Sequence, residues 1–182
     1  MPPGMNVDDG LTIRYARPSD ADGMAEVTCA TFAEFETFDV TREQSAANWR
    51  RNLLGEATER PRPHHTFVSE LPDATIIGLV MGGPAAEELG HDAEIYALAV
   101  HPDHQGRGDG RALLRTAATG LSAAGFSSLA IRVLAVNDRA RRFYTSLGGV
   151  LAGEVPPDEV FYSWPDIATL PLVQLLTAQC CG

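Results

Sequence analysis

The run Gln105-Gly106-Arg107-Gly108-Asp109-Gly110 places three alternate glycines between an apolar segment, Ile95 to Val100, and a segment with helical spacing, Arg111 to Leu121. Glycine leaves the main chain uncovered, and the first N–H groups of a helix have no partner inside it. With the positive end of the helix dipole they form a cradle for an anion, above all a phosphate. The alternative is a tight strand-to-helix turn that needs glycine only for its shape. Two common nucleotide motifs do not fit. A P-loop requires Gly-x-x-x-x-Gly-Lys-Ser/Thr, and the chain contains no lysine. A dinucleotide fingerprint requires Gly-x-Gly-x-x-Gly in an opening β-α-β unit with an acid about twenty residues on. Here the spacing is Gly-x-Gly-x-Gly, late in the chain, and Ser122 to Ser128 stands where the acid belongs.

The longer phrase Ala97-Leu-Ala-Val-His-Pro-Asp-His-Gln-Gly-Arg-Gly-Asp-Gly110 resembles the acyl-CoA signature of the GCN5-related N-acetyltransferases, Gln/Arg-x-x-Gly-x-Gly/Ala, with Gln105, Gly108 and Gly110 supplying its core. A second stretch, Val136-Asn-Asp-Arg-Ala-Arg-Arg-Phe-Tyr-Thr-Ser-Leu-Gly-Gly149, is similar to that family's next landmark, a strand ending in Asn followed by a helix carrying Ala-x-x-Phe-Tyr. With the opening Ile13-Arg-Tyr-Ala-Arg-Pro-Ser-Asp-Ala-Asp22, the resemblance spans residues 11 to 164. It implies an acetyl-CoA-dependent N-acetyltransferase, in which a primary amine of a small molecule or peptide attacks the thioester directly in a ternary complex. It implies no metal. A reading from a different class is a non-catalytic acyl-CoA-binding module that senses the cofactor or assembles with a partner.

The resemblance also carries roles onto residues. Gly106 to Gly110 would offer N–H groups to the diphosphate, with Arg107 and Arg111 adding charge-assisted contacts. Asp109 occupies a position usually apolar in the family. A carboxylate there competes with phosphate for the helix terminus, or points outward as a helix-start residue. Leu98, Ala99 and Val100 match strand positions whose main chain binds the pantetheine amides and polarises the thioester oxygen. As sequence alone they read as buried strand. Glu94 stands where family members often carry the glutamate that deprotonates the amine. An extended chain rises about 3.3 Å per residue, so Glu94 lies roughly 13 Å from Leu98 and would act through water. The alternative is an exposed strand acid. His64, His65, His101 and His104 are rival bases by their ordinary pKa near 6.5, read as solvated loop residues.

Tyr144 matches the tyrosine that in many family members hydrogen-bonds the departing sulfur. A phenol near pKa 10 gives its proton to a thiolate of pKa near 8.5 uphill by about 2 kcal/mol, so a hydrogen bond is easier than full donation. Otherwise Phe143 and Tyr144 are the apolar face of their helix. Asn137 serves the pantetheine amides, caps the following helix, or both. Among Arg139, Arg141 and Arg142, Arg141 is the preferred phosphate contact, with solvated arginines as the alternative. Cys29, the only cysteine outside the terminal pair Cys180 and Cys181, is far in sequence from the cradle, which argues against an acyl-enzyme.

These residues must be held by a chain of 182 residues, 45% hydrophobic, a length that suits one compact domain. We expect that domain over 11–170, a disordered N-terminal segment over 1–10 and a tail over 171–182. No apolar run reaches the eighteen residues of a membrane span, and Met1-Pro-Pro-Gly-Met-Asn lacks a signal-peptide pattern. Three cysteines give no disulfide framework and no metal-ligand spacing. A cytoplasmic protein is therefore expected. All fourteen basic residues are arginine, and seven fall between Arg107 and Arg142 against two acids, a local net charge of +5 within a chain of net charge −10. An acidic surface outside that window argues against nucleic acid. It suits steering of a polyanionic cofactor to one end and a cationic amine to the other. Glu34, Glu36 and Asp39 beside Phe32, Phe35 and Phe38, within a pocket built from Phe32 to Trp49 and Glu159 to Trp164, would suit such an amine, although a solvated acidic face explains them equally. Oligomeric state is not legible in the residues, although family members commonly pair, which leaves a homodimer open.

The elements follow from spacing. Leu11 to Arg17 alternates as a strand, and Ser19 with Asp22 reads as a helix start running to Phe32. Thr41 and Gln44 form a capping box, and Gly55 ends that helix. Phe67 to Glu70, Thr75 to Met81 and Ala93 to Val100 form a meander. Helix three follows the cradle and stops at Gly125. The strand Ser127 to Val136, the helix Asp138 to Leu147 and two strands, Val150 to Glu154 and Glu159 to Trp164, complete the chain. Hairpins first and helical crossovers later indicate an α/β (α+β) fold with a sheet of mixed direction. The resemblance sharpens this to a central sheet of six or seven strands with four main helices, splayed between strands 4 and 5 where the pantetheine arm enters.

Overall fold

The computed structural model describes residues 5–7, 10–33, 40–56 and 64–170. Its strands are β1 (Met5–Val7), β2 (Leu11–Tyr15), β3 (His65–Glu70), β4 (Ile76–Pro84), β5 (Ala93–Val100), β6 (Leu129–Leu134), β7 (Val150–Val155) and β8 (Glu159–Trp164). Its helices are α1 (Ala21–Phe32), α2 (Arg42–Leu54), α3 (Asp109–Ala123) and α4 (Asp138–Ser146). The strand order is β1-β2-β3-β4-β5-β6-β8-β7. Seven of these strands and the four helices are the expected mixed sheet and its helices; the three-residue β1 adds one antiparallel edge, Met5 opposite Ile13. Two compact units are distinguished, Met1–Met81 with Ala97–Ala117 and Gly82–Tyr96 with Ala118–Gly182, and β4, β5 and α3 pass from one to the other.

Residues Ile76–Gly83 of β4 are all buried, which is why this strand reads as a continuous apolar run rather than an alternating one. In α3, Leu113, Leu114, Ala117, Ala118 and Leu121 form one buried stripe at helical spacing. Each fully buried leucine contributes about 1.5–3 kcal/mol of transfer free energy, enough to hold the helix start where the cradle needs it.

The helix starts show which local signals were read correctly. Thr41 Oγ1 accepts from Gln44 N at 3.2 Å and Gln44 Oε1 from Thr41 N at 2.9 Å, so the capping box forms, and Gly55 ends α2 at φ 83°. At α1 the expected Ser19 cap does not form. Asp20 stands at the cap position without a side-chain bond to α1; its Oδ2 instead accepts from Arg17 N at 2.7 Å, closing the short turn Pro18–Asp20, while Arg14 grips both carboxylate oxygens at 2.7 and 2.9 Å. Burial raises the Asp20 carboxyl, but the Arg14 guanidinium and the Arg17 N–H outweigh it and hold the group below the usual carboxylate range. Between α1 and α2 the Trp49 indole donates to Thr28 Oγ1 at 3.1 Å, and that hydroxyl donates to the Met24 carbonyl at 2.8 Å.

The register of β5 matters most for the site. Its parallel ladder to β6 runs Ala93 to Leu129, Glu94 to Ala130 and Ile95 to Ile131, covering the first three of eight residues. Tyr96, Ala97 and Leu98 are then only half-buried, in mid-strand of a central strand. In the seven-strand count β5 and β6 are strands 4 and 5, the pair expected to splay.

Candidate functional site

In the unit that contains 97–117, the cradle follows the end of β5. The side chain of Gln105 does not reach outward: its Nε2 donates to the Val100 carbonyl at 2.7 Å, and Thr31 Oγ1 of α1 donates to the same oxygen at 3.2 Å. Both lone pairs of that carbonyl are thereby used, and the last residue of β5 is fixed to the cradle. Gln105 Oε1 is buried without a partner. Gly106 and Gly108 sit at φ 80° and 99°, conformations that side chains rarely adopt, and a Cβ at either would meet nothing within 4 Å. Open space above two exposed glycines meets the steric requirement of an anion cradle; Gly90, Gly125 and Gly148 have the same positive φ and open space, and what sets Gly106 and Gly108 apart is that they lead into the first turn of α3. Arg107 is exposed, with Nη2 donating to the Asp103 carbonyl at 3.3 Å, and Arg111 is exposed on the first turn of α3.

Helix α3 begins at Asp109, two residues earlier than its spacing suggested, so Gly110 lies in its first turn. Asp109 is 8% exposed, and burial, working against His104 and Arg107, raises its carboxyl from the ordinary value. His101 caps the short turn Pro102–His104, its Nδ1 accepting from Asp103 N at 3.3 Å. His65 opens β3 rather than lying in a loop; burial lowers its pKa, and its Nδ1 is 3.5 Å from the Tyr15 hydroxyl. Of the proposed amine pocket, 34–39 lie outside the described residues, as do Cys180 and Cys181.

In the unit that contains 118–170, the exposed-acid reading of Glu94 is overturned. Glu94 is 2% exposed, and Arg132 Nε donates to its Oε1 at 2.8 Å. Its Oε2 lies 3.5 Å from Ala86 N and is the oxygen with capacity left for a water. Removing one partner of a buried pair strands the other. Because Arg132 keeps 24% side-chain exposure, water relieves part of that penalty. Glu94→Gln should therefore lose about 2 kcal/mol in urea unfolding. A loss within experimental error would show that the pair does not hold this end of the β5–β6 ladder.

Asn137 is confirmed as the α4 cap, its Oδ1 accepting from Ala140 N at 3.0 Å. Arg141 folds back on the preceding loop: Nη1 donates to the Ala135 carbonyl at 3.0 Å and lies 3.8 Å from Asp138, while Nε is buried without a partner. It lines a surface depression of about 430 Å³ together with Asp138, Arg142, Thr145, Ser146 and Tyr162. Arg139 and Arg142 are exposed. Tyr144 is buried, with ring centroids 5.8 Å from Tyr162 and 6.3 Å from Trp164. No described residue hydrogen-bonds its hydroxyl. Burial pushes its phenol well above the ordinary range, so it is a donor throughout any practical pH range.

Sequence reasoning missed His91. Its Nδ1–H donates to the Leu89 carbonyl and its Nε2 pairs with Ser163 Oγ at 2.7 Å. No local spacing signals a contact across 72 residues.

The profile of the acetyltransferase (GNAT) family matches residues 26–148. The chain belongs to that family. It is 32% identical over 177 residues to YuaI of Bacillus subtilis, described as an uncharacterised N-acetyltransferase, covering 88% of this chain and 96% of that one. An acetyltransferase from Thermus thermophilus has the same fold, with a TM-score of 0.67, 26% identity and coverage of 85% of this chain and 96% of that one. YncA of Salmonella typhimurium, a putative acetyltransferase solved with its cofactor acetyl-CoA, shares the fold at 21% identity and a TM-score of 0.65, covering 94% of this chain and 99% of that one. No group of three or more potential metal ligands occurs among the described residues, and no helix there is long and apolar enough to cross a membrane.

Proposed function

We propose that the protein transfers an acetyl group from acetyl-CoA to a primary amine of a small, cationic molecule or a peptide. The observation that carries the reading is the cradle: two exposed glycines with open space above them at the start of a fifteen-residue helix. The family membership and the acetyl-CoA bound by YncA support the same ligand. Gly106 to Gly110 hold the diphosphate, helped by Arg107 and Arg111, while Asn137 Nδ2 and the main chain of Leu98, Ala99 and the Val100 N–H serve the pantetheine arm. The amine attacks the thioester carbon, and the C–N bond forms as the carbonyl becomes an oxyanion. A β5 main-chain donor aimed at that charge lowers the barrier by about 2.7–4 kcal/mol. Collapse breaks the C–S bond, the ammonium proton leaves by water towards Glu94 Oε2, and Tyr144 O–H donates to the departing thiolate.

The sealing of Glu94 against Arg132 favours a second reading, a module that binds acyl-CoA without turning it over. One experiment separates them: a screen of polyamines, amino-sugars, amino-acid derivatives and N-terminal peptides that follows free thiol release from acetyl-CoA. Amine-dependent release is the expected result. Tight binding of coenzyme A with no release from any amine would favour the module.

A further inference from the structure

We infer that Thr31 is a positioning residue for acetyl transfer, holding the end of α1 in register with the last peptide of β5. The inference rests on the proposed transferase function, in which that end of β5 serves the pantetheine arm and the amine pocket draws on the end of α1 and the first part of α2. Threonines inside helices commonly return their hydroxyl proton to their own helix. Thr28 does so to the Met24 carbonyl at 2.8 Å, Thr116 to the Ala112 carbonyl at 3.0 Å and Thr145 to the Arg141 carbonyl at 3.0 Å. Thr31 departs from this pattern. Its hydroxyl donates to the Val100 carbonyl at 3.2 Å, an acceptor outside its helix and 69 residues away.

The peptide that Thr31 reaches is held from both sides. Its carbonyl also accepts from Gln105 Nε2 at 2.7 Å, and its N–H, on His101, donates to the Ile77 carbonyl of β4 at 2.8 Å. Gln105 makes its bond although its Oε1 is then buried without a partner. Turning that amide round would set one carbonyl oxygen against another, so the Val100 carbonyl dictates its orientation. The two donors join different elements to one atom. Gln105 ties the peptide to the cradle, whereas Thr31 ties it to α1, one residue before that helix ends at Phe32. Helix α1 does not shift alone, because Trp49 Nε1 donates to Thr28 Oγ1 at 3.1 Å and joins α2 to it. Movement at Thr31 is thus movement of both helices against the strand end, and a misplacement of about 1 Å between reacting partners costs up to about 100-fold in rate.

The test compares Thr31→Val, which keeps the shape and removes the donor, Thr31→Ala, which removes the donor and leaves no bulk to accommodate, and Thr31→Ser, which keeps the donor. Thr116→Val is the control, since its hydroxyl bonds only within α3. Steady-state kinetics use acetyl-CoA and the amine that gives the fastest thiol release in the screen above, and calorimetry with coenzyme A is run on the same preparations. Thr31→Val and Thr31→Ala should lower kcat/KM for the amine about tenfold and leave the dissociation constant of coenzyme A within about twofold, because Gln105 still holds the cradle side. Thr31→Ser and Thr116→Val should match the intact chain within about twofold on both measures. A threonine that served only the fold would weaken both substrates together. Unchanged use of the amine by the Val and Ala variants, a coenzyme A affinity that falls in step with it, or a Ser variant as impaired as the Val one overturns the inference and leaves the transferase reading standing. If the intact chain releases thiol with no amine in the screen, the transferase reading fails and this inference with it.

Discussion

Gly108→Val should reduce affinity for coenzyme A by about 100-fold while leaving most of the fold intact. The position adopts φ 99°, and a Cβ there would meet nothing within 4 Å, so the damage is to backbone conformation and not to packing. A β-branched residue held at such a φ costs about 1–3 kcal/mol, which an exposed loop relieves by rotating out of the conformation. That rotation re-aims the N–H groups on either side. Losing two charge-assisted main-chain hydrogen bonds at about 1.5–3 kcal/mol each accounts for the fall, some of it recovered by water. Gly90→Val is the matched control, because Gly90 also has positive φ and open space but belongs to the loop before β5. It should cost similar stability and leave coenzyme A affinity unchanged. Calorimetric titration of both variants checks this, and equal weakening by both would mean that the glycines act only through general stability.

What the sequence shows well is what depends on neighbours along the chain. The Thr41–Gln44 box and the Asn137 cap each need only a few consecutive residues, and each forms as its spacing demands. Helix α1 shows where this fails. Ser19 is an acceptable local cap, yet no side chain caps α1: Arg14, one strand earlier, fixes both oxygens of Asp20 and also pairs with Glu70 on β3. The site residues divide the same way. Glu94 reads as an exposed acid because its partner Arg132 is 38 residues away, and Gln105 reads as a ligand contact because nothing in its spacing reveals that it donates to Val100. Asp109 is the hardest case. A polar residue at a helix start is normally well exposed, and only the structure shows that this one keeps 8% of its surface.

Tyr144→Phe should lower kcat about 10- to 100-fold, with the KM for acetyl-CoA changed by less than about threefold and the folding stability unchanged or slightly raised. The ring is part of the core, set edge-on to Phe143 and Trp164 and tilted against Tyr162, so phenylalanine preserves its packing. The hydroxyl is different, since no described residue bonds it and the fold does not need it. Burial has raised the phenol further from the thiol than in water, which makes outright proton transfer to the leaving sulfur still more uphill. A hydrogen bond that strengthens as the thiolate forms needs no such transfer, and it acts on the transition state more than on bound acetyl-CoA. The pH dependence follows. A phenol that keeps its proton contributes no alkaline limb, so the profile of kcat should have the same shape in the intact chain and in Tyr144→Phe, displaced downward. Steady-state kinetics with urea unfolding on the same preparation decides the matter. A Phe variant with full kcat would assign Tyr144 to the core alone, and an alkaline limb that disappears with the hydroxyl would mean that it donates its proton outright.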